Sequence, residues 1–152
     1  MFRGITGITL DNKGRFAIPT RYREPLAEEA DHQVVVTIDT EDRCLLLYPL
    51  PEWETIETKI EALPSFNPMA RRIQRLLMGH ACELEMDNTG RILLPVLLRE
   101  YAGIEKQIIL VGQGKKFEIW SDTAWQSHRD RWLSSDGKAR DGLPPELETL
   151  SL

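Results

Sequence analysis

The sequence predicts an α+β fold built from two tandem copies of one unit of about 70 residues, each running ββαββα. Three observations predict it. First, residues 8–24 align without gaps on residues 84–100 at an offset of 76, with seven of seventeen positions identical. Second, the match resumes at an offset of 72, where Leu45-Leu46-Leu47-Tyr48 and Trp53 correspond to Phe117-Glu118-Ile119-Trp120 and Trp125. Third, short apolar runs of strand length alternate with stretches whose apolar residues recur at helical spacing. The copies are expected over residues 1–80 and 81–152, the second ending in a linker and short tail from about residue 134.

Each element follows from its own residues. An apolar run leads into Asp11-Asn12-Lys13-Gly14-Arg15, and Phe16-Ala17-Ile18 then stops at Pro19. The second copy repeats this with Asp87-Asn88-Thr89-Gly90-Arg91 and Ile92-Leu93-Leu94-Pro95. Asp at the first position of a tight turn and Gly at the fourth predict a β-hairpin with glycine in the left-handed conformation. Short helices are expected after each proline, at about 20–29 and 96–102. A second strand pair follows, 34–38 with 44–48 and 107–111 with 117–120. Trp53, Ile56, Ile60 and Leu63 place a helix between Pro51 and Pro64. Asn67 as N-cap and Pro68 at the first helical position open another, expected to run to Gly79 with Met69, Ile73, Leu76 and Leu77 on its apolar side. Ser121 is expected to cap a helix carrying Trp125 and Trp132, and a last turn lies at 146–150. Four short strands leave open edges and a thin core, so the two copies are expected to close on each other as a pseudo-twofold β-barrel or interlocked sheet with helices outside.

With 41% hydrophobic and 28% charged residues, the composition excludes global disorder. No run approaches the roughly 18 apolar residues of a membrane span, and Met1–Gly7 lacks the apolar core of a signal peptide. Cys44 and Cys82 lie in no metal spacing and are expected as free thiols in a reducing cytoplasm. The net charge of −5 hides a segregation. Residues 1–24 hold five basic and two acidic side chains, residues 25–63 two basic and ten acidic, and residues 64–81 three arginines without an acid. Anions are therefore expected at one face only. His32, His80 and His128 form no metal motif, no nucleophile elbow or phosphate-cradling loop occurs, and no cofactor or small-molecule substrate is called for. Asp11 and Asp87 invite comparison with a paired-carboxylate protease, but Asn follows each where that chemistry needs Thr or Ser and then Gly. The chain is read as no enzyme.

The chemistry-bearing pattern is the repeated Asp-x-x-x-Arg. Across the turn, Asp11 faces Arg15 and Asp87 faces Arg91, so each carboxylate holds its guanidinium and leaves donors free for phosphate oxygens or a guanine edge. Lys13 adds a second cation to the first copy. A salt bridge that merely sets register is the competing reading. Candidate nucleic-acid residues are Asp11, Asn12, Lys13, Gly14 and Arg15, with Asp87, Asn88, Gly90 and Arg91. Arg3, Arg21, Arg23, Arg71, Arg72 and Arg75 are secondary candidates for DNA or subunit contacts. The tryptophans are read as packing rather than base-stacking groups.

These residues also carry a resemblance. The two Asp-x-x-x-Arg strings, Pro19-Thr20-Arg21-Tyr22-Arg23, Leu46–Trp53 and Arg71–Ala81 resemble the MraZ family, bacterial transcriptional regulators associated with the division and cell-wall gene cluster. The resemblance implies an AbrB-like swapped-hairpin β-barrel, ring-shaped homo-oligomers and binding to repeated double-stranded promoter elements, in the cytoplasm at the nucleoid. Thr89 stands where the first copy has Lys13, so the two turns are not expected to bind equally. The rival expectation is an oligomeric scaffold or antitoxin-like protein-binding module.

Overall fold

The computed structural model describes residues 1–134 and 144–151. Most of the expected linker therefore lies outside the described residues. Contacts divide the chain into two compact units, Met1–Asp122 and Thr123–Leu152.

In order, the elements are β1 (Phe2–Thr9), β2 (Arg15–Ala17), α1 (Thr20–Ala30), β3 (Gln33–Ile38), β4 (Leu45–Pro49), α2 (Leu50–Glu61) and α3 (Pro68–Ile73). A π-helical turn, Gln74–Met78, continues α3. Then come β5 (Cys82–Glu85), β6 (Arg91–Leu93), α4 (Val96–Tyr101), β7 (Gln107–Gly114), β8 (Phe117–Ser121), α5 (Asp122–Leu133) and α6 (Pro145–Glu148).

Six strands form one antiparallel sheet in the order β1-β7-β8-β4-β3-β5, and β2 pairs with β6 in a second, two-stranded ladder. The order reads the same from both ends once the copies are superposed. At the centre of the large sheet Leu46 stands opposite Glu118, its own counterpart at the 72 offset. At the centre of the small ladder Phe16 stands opposite Ile92, its counterpart at the 76 offset. A residue that pairs with its own repeat image marks a pseudo-twofold axis. The registers reconcile the two offsets in two steps: β3 corresponds to β7 at 74, since Gln33 pairs Glu85 as Gln107 pairs Thr9, and β4 to β8 at 72, since Val34 pairs Pro49 as Ile108 pairs Ser121.

Two expectations need correction. The strands flanking each turn do not run on as a hairpin: β1 ladders with β7, whereas β2 ladders with β6. Only the neck survives, with Asp11 N donating to the Arg15 carbonyl at 2.8 Å and Asp87 N to the Arg91 carbonyl at 3.0 Å. The large sheet is also not closed into a barrel, since β1 and β5 are its ends. The three-residue strands β2 and β6 are spent on each other and cannot bridge those edges. The strand pairs β3–β4 and β7–β8 match expectation.

The main core draws on both copies: Phe16, Ile18, Leu26, Val36 and Leu47 from the first join Ile92, Leu94, Leu98, Leu110 and Phe117 from the second. Burying such side chains stabilises by roughly 1.5–3 kcal/mol each. In α1 the buried Tyr22, Leu26 and Ala30 recur every fourth residue and face this core. A second cluster gathers Val35, Leu46, Tyr48, Trp53 and Ile60, with Ile73 and Leu77 packed against it. Trp53 and Trp120 are core residues, as expected, while Trp132 is 43% exposed and meets Trp125 edge-on at 5.9 Å.

Asn67 caps α3 as its side chain predicts, accepting from Met69 N at 2.8 Å and Ala70 N at 3.2 Å. The expected regular helix to Gly79 instead widens at Gln74. There Ala81 N donates to the Met78 carbonyl, and the Leu77 carbonyl accepts the hydroxyl of the fully buried Thr37 at 2.7 Å. The wider turn supplies an acceptor to a polar group that has no water to turn to. In the regular turn before it, Met69, expected on the apolar side, is exposed, and Arg72 is half-buried with Nη2 3.5 Å from the Thr40 carbonyl.

Candidate nucleic-acid interface

Each turn is closed by its aspartate. Gly14 N donates to the Asp11 carbonyl at 3.0 Å; Asp11 Oδ1 accepts from Lys13 N and Arg15 N, both at 2.9 Å. Asp11 Oδ2 accepts Arg15 Nε at 2.8 Å. Spending Nε on the carboxylate fixes the guanidinium plane and leaves the terminal nitrogens for a ligand. The second turn copies this through Asp87, Thr89 N, Arg91 N and Arg91 Nε. Gly14 and Gly90 have φ of 88° and 78°, the left-handed conformation the sequence predicts. Asn12 and Asn88 sit exposed at the turn tips.

The turns differ in one respect. The Thr89 hydroxyl also donates to Asp87 Oδ1 at 2.9 Å, and the Arg91–Asp87 contact is longer, 3.2 Å against 2.8 Å. The charge differs as well: Glu85 stands where the first copy has Thr9, and Thr89 where it has Lys13.

The donors around Asp11 hold its carboxyl down at about 2, the Arg15 amide foremost. The Asp87 carboxyl is likewise held well below the usual range, chiefly by the Arg91 amide. A lowered carboxyl pKa favours the folded turn above the unfolded value of 3.8, and that contribution is lost as pH falls toward the folded value. The Arg15-holding form of Asp11 is thus expected to persist through the ordinary carboxylate range. A carboxyl-detected NMR titration should find the Asp11 midpoint near 2. A midpoint at or above 3.8 would mean that the turn amides do not grip it.

The small ladder decides where the arginines go. Side chains alternate across a strand, so Phe16 and Ile92 point into the core while Arg15, Ala17, Arg91 and Leu93 share the opposite face. Arg15 opposes Leu93, which makes Arg91 its diagonal neighbour, at about 7–8 Å by strand geometry. The result is a two-stranded ribbon with both signature arginines on its outer face and an Asp-held turn at each end.

The secondary candidates scatter. Arg3 and Arg21 line a cavity of about 510 Å³ with Tyr22, away from the turns; Arg21 Nη2 donates to Thr6 Oγ1 at 2.7 Å and its guanidinium lies 4.5 Å from the Tyr22 ring centre. Arg71 and Arg75 are exposed on α3 and the π turn. Arg23 reaches the second turn. Arg99, which the sequence reading did not single out, reaches the first; its identity with Arg23 in the repeat alignment was the available signal.

A sequence model of a family described as "MraZ protein, putative antitoxin-like" matches residues 1–76 and again residues 77–141. The chain belongs to the MraZ family. The duplicated match agrees with the pseudo-twofold ladder, each MraZ repeat supplying one Asp-x-x-x-Arg turn. Over all 152 residues, and the full length of each relative, the chain is 59% identical to a protein of Coxiella burnetii named "Transcriptional regulator MraZ". Proteins of the same name from Legionella pneumophila and Halorhodospira halophila are 55% and 53% identical over the same span. Among the described residues no helix is long and apolar enough to cross a membrane, and no cluster of His, Cys, Asp and Glu could hold a metal ion.

Proposed function

We propose that the chain is a sequence-specific, double-stranded DNA-binding transcriptional regulator acting at promoters of the division and cell-wall gene cluster, and not an enzyme. The observation that carries this reading is the ribbon with Arg15 and Arg91 on one exposed face, each anchored by an aspartate through Nε. A major groove about 12 Å wide admits a two-stranded ribbon, and a guanidinium fork reads the guanine edge. Arg15 and Arg91 contact bases and phosphates in this reading, Asp11 and Asp87 orient them, and Lys13 meets backbone phosphate at the turn tip. The first turn dominates, because Lys13 and Thr9 leave it more positive than the turn with Thr89 and Glu85.

One ribbon offers few contacts, so useful affinity comes from several protomers on spaced repeats. Exposed apolar side chains off the ribbon support self-assembly into a ring: Phe66 is 98% exposed, and Val96 and Leu97 are 57% and 60% exposed on the second repeat. The first-repeat counterparts of Val96 and Leu97 are Thr20 and Arg21, so this apolar pair is not repeated. A cytoplasmic, nucleoid-associated location goes with this function.

The test is a salt titration of binding. Each phosphate neutralised adds about −0.9 to the slope of log K against log salt. Lys13→Thr is expected to flatten the slope by about one unit per engaged protomer and to weaken promoter and random DNA alike. An unchanged slope would mean that the turn tip does not face the DNA backbone.

A further inference from the structure

Arg99 lies outside the Asp-x-x-x-Arg signature, yet its side chain reaches the first turn from the opposite repeat. It donates Nε to the Leu94 carbonyl at 3.0 Å, and Leu94 N donates to the Gly14 carbonyl at 3.0 Å. A Cβ built on Gly14 would stand 2.7 Å from Arg99 Cζ and 3.0 Å from Nε and Nη2. The guanidinium therefore lies directly against the turn. The second turn has the same arrangement with the repeats exchanged. Arg23 donates Nε to the Ile18 carbonyl at 2.7 Å, Ile18 N donates to the Gly90 carbonyl at 2.8 Å, and a Cβ on Gly90 would stand 2.2 Å from Arg23 Nε. Glycine suits each turn through its positive φ, and any larger residue would also displace the arginine laid on it.

Both arginines are half-buried. Among the described residues neither has a carboxylate within ion-pairing distance, and each is bonded through Nε alone. Their terminal nitrogens are unspent. Arg15 and Arg91 are held in the same manner, by Nε, with terminal nitrogens left over. Each turn therefore has a second arginine laid against it, Arg99 at the first and Arg23 at the second, where Glu24 and Glu85 join Asp87.

We propose that Arg99 and Arg23 complete the two DNA sites in trans: each turn grips a backbone phosphate with an arginine donated by the other repeat, beside its own base-reading arginine. The assignment rests on the DNA-binding reading above. Phosphate is the ligand class because a guanidinium fork suits tetrahedral oxygens, and Arg99 and Arg23 stand on α4 and α1 rather than on the ribbon that carries Arg15 and Arg91. Arg99 carries the larger share. Arg23 shares its recess of about 350 Å³ with Glu24, Glu85 and Asp87, which offset its charge, whereas Thr9 replaces Glu85 at the first turn. In this arrangement neither repeat makes a complete site by itself.

The experiment compares wild type, Arg99→Ala, Arg99→Lys and Arg15→Ala by fluorescence anisotropy, on a fragment of the division-cluster promoter and on a random duplex of equal length. Circular dichroism melts check folding. Arg99→Ala is expected to weaken both duplexes alike and to reduce the salt slope by about 0.9 per engaged turn, with Arg99→Lys keeping the slope. The promoter preference stays, because Arg15 still reads the bases. If Arg99→Ala does not fold, Arg99→Gln removes the charge while keeping a donor for Leu94, and a reduced slope supports the assignment. A folded Arg99 variant without charge that keeps the wild-type slope, while Arg15→Ala loses the preference, overturns this inference and leaves the DNA reading standing. Wild type binding neither duplex overturns both.

Discussion

Arg15→Ala is expected to abolish the preference for promoter DNA over random DNA while the fold persists. The turn does not depend on the guanidinium: Asp11 Oδ1 still accepts from the amides of residues 13 and 15, and Gly14 N still donates to the Asp11 carbonyl. The melting midpoint and native mass should therefore match wild type. What disappears is the fork on the outer face of the ribbon. A good arginine–guanine pair discriminates by about 1–3 kcal/mol per base, and each engaged protomer repeats the loss. Arg91→Ala should have the smaller effect, since the Thr89 hydroxyl shares Asp87 with Arg91 and Glu85 stands nearby in sequence. A gel shift on both DNAs reads the outcome. Retained preference in a folded Arg15→Ala variant would remove Arg15 from the site.

Phe16→Ala is expected to have the largest effect on stability. Phe16 is 1% exposed and faces Ile92, itself fully buried, where the repeats cross. Truncating a buried phenylalanine costs about 3–5 kcal/mol, comparable to a large part of the total stability of a small protein. The loss should spread to both repeats at once, because β1 of the first ladders with β7 of the second and β5 of the second with β3 of the first. Urea denaturation followed by tryptophan fluorescence should show one transition, shifted to lower urea. Two separate transitions would show that the repeats fold independently, and a shift worth less than about 1 kcal/mol would show that Phe16 does not anchor the crossing.

Locally encoded features were legible in the sequence. Asp, Asn and Gly specify the turns, Pro19 and Pro95 end the short strands, and Asn67 caps α3, because each acts on atoms within a few residues. The choice of strand partner was not legible. The apolar pattern of β1 and β2 is the same whether they pair with each other or with the opposite repeat, so the sequence suggests a hairpin and the tertiary structure overrides it. The pseudo-axis was nevertheless present in the two offsets, since Phe16 with Ile92 and Leu46 with Glu118 are repeat images that also pair. The π turn escaped because the group it meets, the buried Thr37 hydroxyl, lies forty residues from Leu77. Arg99 escaped because its partner, the Gly14 turn, belongs to the other repeat.

The most direct measurement of DNA recognition by the paired turns is the affinity of wild-type protein for a labelled division-cluster promoter fragment, titrated with unlabelled random competitor. The expected result is a complex that survives excess random DNA and dissociates as salt is raised. Binding that random DNA competes away on equal terms, or no binding at all, would contradict it.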